Sequence, residues 1–145
     1  MQRLLDETRD EPTTTARQRV AIMLGALAVT AALFGLAYLL GMWAYAFRLQ
    51  ASHEARLSRV LVQKPTGDQI TQGLALQGDM LVAEVDTPAA LASAIERWGN
   101  RRGDEIRAQA AQARRTRVYQ ASEMAYFLYF DASDVMQGFT CVRQR

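Results

Sequence analysis

A long uncharged run near the start of the chain constrains its fold more than any other feature. Val20–Phe47 contains 28 consecutive residues without Asp, Glu, Lys or Arg. As a helix rising 1.5 Å per residue it is about 42 Å long, and a bilayer core of roughly 30 Å needs about 20 apolar residues. Arg17 and Arg19 precede the run, Arg48 follows it, and aromatic residues gather near its C-terminal end. The run predicts a transmembrane helix over residues 20–47.

A cleaved signal peptide is the competing interpretation, because Ala44-Tyr45-Ala46 resembles a small-x-small cleavage site. The apolar run, however, is about twice the length of the roughly 7–15 apolar residues of a signal peptide. A signal peptide starts with a positively charged region, whereas the segment before this run carries four acidic residues: Asp6, Glu7, Asp10 and Glu11. We therefore predict an anchor that stays attached to the chain.

The number of basic residues does not decide the orientation of this anchor. Four lie on each side: Arg3, Arg9, Arg17 and Arg19 before it, and Arg48, Arg56, Arg59 and Lys64 after it. Arg17 and Arg19 lie closest to the apolar boundary, and most of the chain follows the span. We predict a single-pass protein of the bacterial inner (cell) membrane, with its N-terminus in the cytoplasm and its C-terminal domain outside.

Small residues form a stripe along the predicted span. They recur at alternating spacings of four and three: Ala21, Gly25, Ala28, Ala32 and Gly35. Small residues let two helix backbones approach closely, and this contact drives helix association in lipid. The stripe predicts a helix–helix interface with another membrane protein. The alternative is chance, because 12 of the 28 positions are Gly, Ala or Thr.

The segments on either side of the span are predicted to differ. Residues 1–19 have mixed charges and little apolar surface, which predicts a flexible tail. Apolar residues keep helical spacing after the span, so residues 48–62 are predicted to form a juxtamembrane helical extension. Pro65 and Gly67 stop that helix, and a folded domain is predicted over residues 69–145.

In the first part of this domain, apolar and polar residues alternate with a period of two, and the pattern that follows is typical of a helix. Three apolar residues before Gly78 and three after it are spaced by even numbers of positions, which indicates a β-hairpin: Ile70, Leu74, Leu76, Leu81, Ala83 and Val85. Thr87 and Pro88 mark a helix start, because threonine caps and proline suits the first turn. A short helix is predicted to follow and to end near Gly99.

The rest of the domain repeats this order. Asp104 is expected to cap an alanine-rich helix over residues 105–120, and two extended segments, 125–130 and 135–142, predict a second hairpin. The predicted fold class is α+β, with one N-terminal transmembrane helix followed by a small domain of two β-hairpins and two helices. Because this domain has fewer than 80 residues, a partner would help to stabilise it.

Residue types that carry catalysis or bind metals are scarce. One cysteine and one histidine exclude an intramolecular disulfide framework and a histidine-rich metal site. No motif surrounds Cys141 or His53, so we interpret them as a buried strand residue and an interfacial polar residue. Asp131 and Asp134 fit a turn better than a calcium loop, and no phosphate-binding, serine-hydrolase, zinc or haem motif occurs. We expect no enzyme activity, metal or cofactor.

Arginines cluster around the predicted second helix. Six of them stand against Asp104 and Glu105, a local charge of +4. Four would share one broad side of that helix as a basic surface: Arg107, Arg114, Arg115 and Arg117. Anionic lipid headgroups or an acidic partner protein fit such a surface, and a solvated helix face is the alternative. Nucleic acid is not expected, because the aromatic residues lie in an apolar strand.

Two classes of function remain. The first is a non-enzymatic, membrane-anchored structural or assembly subunit of a larger bacterial envelope complex, such as a secretion, conjugation, pilus, division or bioenergetic assembly. Its expected partners are other membrane-protein subunits and the lipid bilayer. The second is a membrane-tethered extracytoplasmic module that binds or senses a ligand in a pocket between the hairpins and the helices.

Overall fold

The computed structural model describes residues 15–75 and 77–144. In these ranges the helices are α1 (Ala16–Val62), α2 (Gly67–Ala75), α3 (Pro88–Ala94) and α4 (Gly103–Gln112). The strands are β1 (Met80–Val85), β2 (Arg115–Ala121), β3 (Met124–Phe130) and β4 (Met136–Arg143). A π-helical turn, Ile95–Gly99, and a 3₁₀ turn, Asn100–Arg102, join α3 to α4. The chain divides into two units, Met1–Ala44 and Tyr45–Arg145.

The first unit contains most of the apolar part of α1. This helix is long and apolar enough to cross a membrane, with a mean hydropathy of 2.3 over its most apolar window. None of that window is buried in the structure, whereas a core helix of a soluble protein would be mostly buried. Large side chains such as Leu24, Phe34 and Trp43 are exposed. The helix therefore fits membrane anchoring, as the uncharged run predicts.

Helix α1 joins two predicted segments into one helix of 47 residues. The helical state predicted for residues 20–47 and for residues 48–62 is confirmed. The tail predicted over residues 1–19 lies largely outside the described residues, and its last four residues belong to α1.

The second unit is built on an antiparallel sheet with the strand order β1-β2-β3-β4 in the described residues. Tyr119 pairs with Tyr126, and Tyr126 pairs with Cys141, so these three residues share one face of the sheet. All seven residues of β3 are buried, because both faces of this central strand are covered. Such burial explains why β3 is apolar along its whole length instead of alternating.

Each face of the sheet has its own hydrophobic core. On one face, Leu57 from α1 and Ile70 and Leu74 from α2 pack with residues of β2, β3 and β4. On the other face, Ile95 and Ile106 pack with Val85, Val118, Phe127, Tyr129 and Val142. Helices cover both faces, and the coarse prediction of an α+β fold is confirmed.

The predicted first hairpin is wrong, because its first strand is helix α2. Ile70 and Leu74 are four residues apart and both face the core, which satisfies a helix as well as the alternation of a strand. Thr66 and Gln69 form a reciprocal cap: the Thr66 amide donates to Gln69 Oε1, and the Gln69 amide donates to Thr66 Oγ1. This capping box stabilises the start of α2 and was the sequence signal for a helix. Leu76, predicted in the same strand, lies outside the described residues.

The predicted second helix is wrong over its last half. Helix α4 ends at Gln112, and β2 begins at Arg115. The segment from Thr116 to Tyr119 is rich in β-branched and aromatic side chains, and its four residues are buried. Pairing with β3 begins already at Arg114, whose amide donates to the Phe130 carbonyl. The tertiary pairing therefore overrides the alanine-rich helical pattern before it.

Other local predictions are confirmed. Thr87 caps α3, and its hydroxyl accepts a hydrogen bond from the Ala90 amide at 3.2 Å. The predicted second hairpin is the pair β3–β4. At its turn, Asp131 Oδ1 accepts hydrogen bonds from the Ser133 and Val135 amides, as expected for an aspartate that stabilises a turn.

Candidate functional site

The small-residue stripe lies on the apolar part of α1, with all of its residues exposed: Ala21, Gly25, Ala28, Ala32 and Gly35. A Cβ atom added at Gly25 or Gly35 would have no neighbouring heavy atom within 4 Å. The stripe is thus an open surface on which a second helix has room to approach. Its role as a helix–helix interface stays a prediction.

The four arginines of the predicted basic surface do not share a helix. Arg107 lies in α4, Arg114 lies in the connection after it, and Arg115 and Arg117 lie in β2. The helical placement predicted for the last three is wrong, because the chain turns from helix to strand at Ala113. Arg107, Arg114 and Arg115 nevertheless line one cleft of about 330 Å³ beside α3.

Acidic side chains that are distant in sequence offset much of this positive charge. Arg115 and Arg117 each lie 3.4 Å from Glu84 on β1, and Arg115 lies 3.6 Å from Asp134. Arg107 pairs with Asp104 at 2.9 Å. Arg117 is buried and so is not part of an exposed surface. The exposed pairs of Arg107 and Arg115 contribute about 0–1 kcal/mol each to stability, but they reduce the field that an anionic partner would meet. The net positive charge of this surface is therefore smaller than the local charge of +4 that was counted from neighbouring residues in the sequence.

A partly buried polar cluster joins α1 to the sheet. His53 and Arg56 lie one turn apart on α1, and both bond the hydroxyl of the fully buried Tyr126, His53 through Nδ1 and Arg56 at 2.8 Å. Arg56 also pairs with Asp79, just before β1, at 2.8 Å. Only 7% of the Asp79 side chain is exposed, so the carboxylate depends on this arginine. We call these four residues the polar cluster.

Arg102 makes a second link between the elements. Its guanidinium lies 3.2 Å from Glu54 on α1 and 2.8 Å from Glu105 on α4, and it donates to the Cys141 carbonyl at 2.7 Å. The Asn100 side chain donates to the Arg143 carbonyl at 2.6 Å. Because β4 is an edge strand, these side chains bind main-chain groups that no neighbouring strand pairs.

Protonation in this region opposes nucleophilic catalysis. Burial raises the pKa of Cys141 to about 12, and Glu54 adds to this effect, so the thiol stays protonated near neutral pH. Burial also raises the pKa of Tyr126, which keeps its phenol protonated. Although the fold brings His53 and Cys141 toward the same tyrosine, the histidine nitrogen is already engaged with that hydroxyl. Within residues 15–75 and 77–144, no group of three or more His, Cys, Asp or Glu side chains is placed to hold a metal.

The polar cluster predicts acid sensitivity of the folded domain. Burial, and then the Arg56 cation, lower the pKa of His53, against a smaller opposing effect of Asp79. The unfolded chain therefore binds a proton on His53 at higher pH than the folded chain does. We expect the free energy of unfolding to be highest above about pH 6.5 and to fall as the pH drops toward the lowered pKa.

Urea unfolding of the full chain in detergent, followed by near-ultraviolet circular dichroism, measures this effect. The midpoint should decrease between about pH 7.5 and 5.5, a range above most carboxylate titration. His53→Gln should flatten the dependence in that range. An equally steep decrease in this variant would contradict the assignment to His53.

The polar cluster and the Arg102 link were not predicted from the sequence. Arg56 and Tyr126 are 70 positions apart, and Arg56 and Asp79 are 23 apart. The spacing of His53 and Arg56, which places both on one side of a helix, was the one local signal. No family model, curated protein or solved structure matches the chain. The function is therefore argued from its own residues.

Proposed function

We propose that the protein is a single-pass membrane-anchored subunit of a larger bacterial envelope complex and has no catalytic activity of its own. The observation that carries this proposal is the uncovered apolar surface of α1, whose most apolar window is entirely exposed. A surface of this size is stable in lipid and unstable in water. The stripe around Gly25 and Gly35 supplies a contact face for other membrane helices.

The second unit supports a structural role for the same protein. Its thiol is held protonated, and the polar side chains of the polar cluster are used to tie α1 to the sheet. Leu57 of α1 is 1% exposed and belongs to the core of this unit, so the anchor helix is also part of the folded domain. This arrangement favours an assembly subunit, because the helix that carries the apolar run continues into the second unit and contributes Leu57 to its core.

Pull-down of the full chain in a mild detergent tests the proposal. An assembly subunit should migrate far above its own 16.2 kDa and carry the same partners in repeated preparations. It should also remain in the membrane after a carbonate wash. A polypeptide that is released by carbonate, and that begins near Phe47, would show cleavage and contradict the proposal.

A cleft favours the second candidate, an extracytoplasmic binding or sensing module. It has a volume of about 460 Å³ and lies between α1 and α2, with Leu57, Val60, Ile70 and Leu74 among its lining residues. This volume is within the range of small-molecule sites. A sensing module should migrate alone or as a dimer in the same detergent experiment, without fixed partners.

For the location, we propose the bacterial inner membrane, with the N-terminus in the cytoplasm and the second unit outside. The support is the pair Arg17 and Arg19 next to the apolar run. Ser133→Cys, at an exposed turn, should react with a membrane-impermeant maleimide in intact cells. The buried Cys141 makes the unmodified chain a control that should not react. If Ser133→Cys is labelled only after permeabilisation, the orientation is the opposite of the proposed one.

A further inference from the structure

Within the second unit, α1 runs along the sheet from the β2–β3 turn toward the β3–β4 turn. Gln50 lines a cleft together with Ser122 and Glu123, the two residues of the β2–β3 turn. Pro65, just after α1, accepts a hydrogen bond from the Met136 amide at the start of β4. The β2–β3 turn is therefore at the end of the sheet nearest Tyr45, where this unit begins.

The cleft lies close, along α1, to the end of the apolar run. Gln50 follows Phe47, the last residue of the apolar run, by three positions, which is about 4.5 Å along a helix. The polar headgroup zone on each side of the hydrocarbon core is roughly 5–7 Å thick. With Phe47 at the edge of the hydrocarbon core, the cleft beside Gln50 lies at the level of the headgroups.

The cleft has the chemistry of an anion site. Its volume is about 760 Å³, and Arg101, Arg102 and Arg143 line it, against Glu123 as the one acidic lining residue in the described part of the chain. Arg102 is engaged by Glu54 and Glu105. Arg101 and Arg143 are exposed, and neither forms an ion pair with any residue that the structure describes.

Arg114 and Arg115 of the basic surface predicted from the sequence lie at the opposite end of the sheet, where β2 begins. Strand β2 runs from Arg115 to Ala121, next to Ser122, and spans about 20 Å. Interactions with a charged membrane surface fall off within a Debye length of roughly 8–10 Å. Arg114 and Arg115 are therefore about 20 Å from the β2–β3 turn, roughly twice that distance.

We infer that the cleft beside Gln50, which we call the headgroup cleft, binds the phosphodiester headgroup of an anionic phospholipid. Arg101 and Arg143 are its cationic contacts, and guanidinium groups suit phosphate because they donate two parallel hydrogen bonds. The polar groups of Asn100 and Ser122 line the same cleft. This inference rests on the proposed anchoring, since anchoring brings the cleft to the lipid surface.

Native mass spectrometry of the full chain in an uncharged detergent tests the inference. The protein is titrated with phosphatidylglycerol, with phosphatidylcholine, or with inorganic phosphate. The unmodified chain should bind phosphatidylglycerol about thirty-fold more tightly than phosphatidylcholine, as two arginines at a membrane surface allow. Arg101→Gln with Arg143→Gln should reduce this ratio to near one.

Arg114→Gln with Arg115→Gln is the matched control, because it removes the same charge at the start of β2, the other end of the sheet. This control should keep the preference, and a loss there would overturn the inference. Binding of inorganic phosphate as tight as that of phosphatidylglycerol, or no preference in the unmodified chain, would also overturn it. Anchoring is measured separately by retention after a carbonate wash. If the chain stays in the membrane after the wash but shows no lipid preference, the inference about the headgroup cleft is contradicted and the proposed anchoring is not.

Discussion

Gly25→Leu combined with Gly35→Leu is expected to release the partner subunits without preventing insertion of the anchor. A Cβ at either position meets nothing within 4 Å in the isolated chain, so the substitutions leave the helix itself intact. In a packed helix pair, the larger side chains would separate the two backbones and remove the close contact that drives association in lipid. Leucine also favours insertion, so the variant should still reach the membrane.

Quantitative pull-down from detergent extracts measures this effect. We expect recovery of the partners to fall on the order of ten-fold or more, with equal recovery of the protein itself. Gly41→Leu is the matched control, because at 100° per residue Gly41 lies roughly 160° around the helix from the centre of the stripe. Its Cβ also meets nothing within 4 Å. If the double variant and the control both recover partners normally, the stripe reflects composition alone.

Leu57→Ala is expected to destabilise the second unit by about 3 kcal/mol, although the residue belongs to the anchor helix. Leu57 is 1% exposed and packs with Ile70, Leu74 and residues of the sheet. Removing a buried leucine side chain loses its transfer free energy and leaves a cavity, at a cost of about 2–5 kcal/mol. For a small domain this is a large part of the total stability.

Urea unfolding of the full chain in detergent, followed by near-ultraviolet circular dichroism, gives the free energies. Val62→Ala is the control on the same helix, because Val62 is 82% exposed and should cost less than about 0.5 kcal/mol. An unchanged midpoint in Leu57→Ala would mean that α1 does not contribute to the core. The support that this core gives to the proposed structural role would then fail.

The sequence was sufficient to predict those structural elements that depend on one capping or turn residue or on the composition of one short segment. The uncharged run predicted the apolar part of α1, Thr87 predicted the cap of α3, and Asp131 predicted the turn before β4. The aromatic run predicted β3, because β-branched and aromatic side chains fit a buried strand. Each of these features depends on residues within a few positions of one another.

Elements whose local pattern fits two structures were predicted wrongly. Ile70 and Leu74 fit a strand and a helix equally, and the capping pair Thr66 and Gln69 decided between them. The end of α4 depends on pairing of β2 with β3, which alanine-rich composition does not reveal. Periodicity alone is ambiguous for such short segments.

Length and charge pattern in the sequence alone determined that the chain carries an apolar helix able to span a bilayer, because hydrophobicity adds up residue by residue along a helix. Only the tertiary structure decided which of the arginines form ion pairs with acidic residues that are distant in sequence. Arg115 and Arg117 meet Glu84 on another strand, whereas Arg101 and Arg143 are left exposed beside Gln50. Electrostatic energy depends on distances in space, and residues that are far apart in sequence set those distances only when the sheet forms.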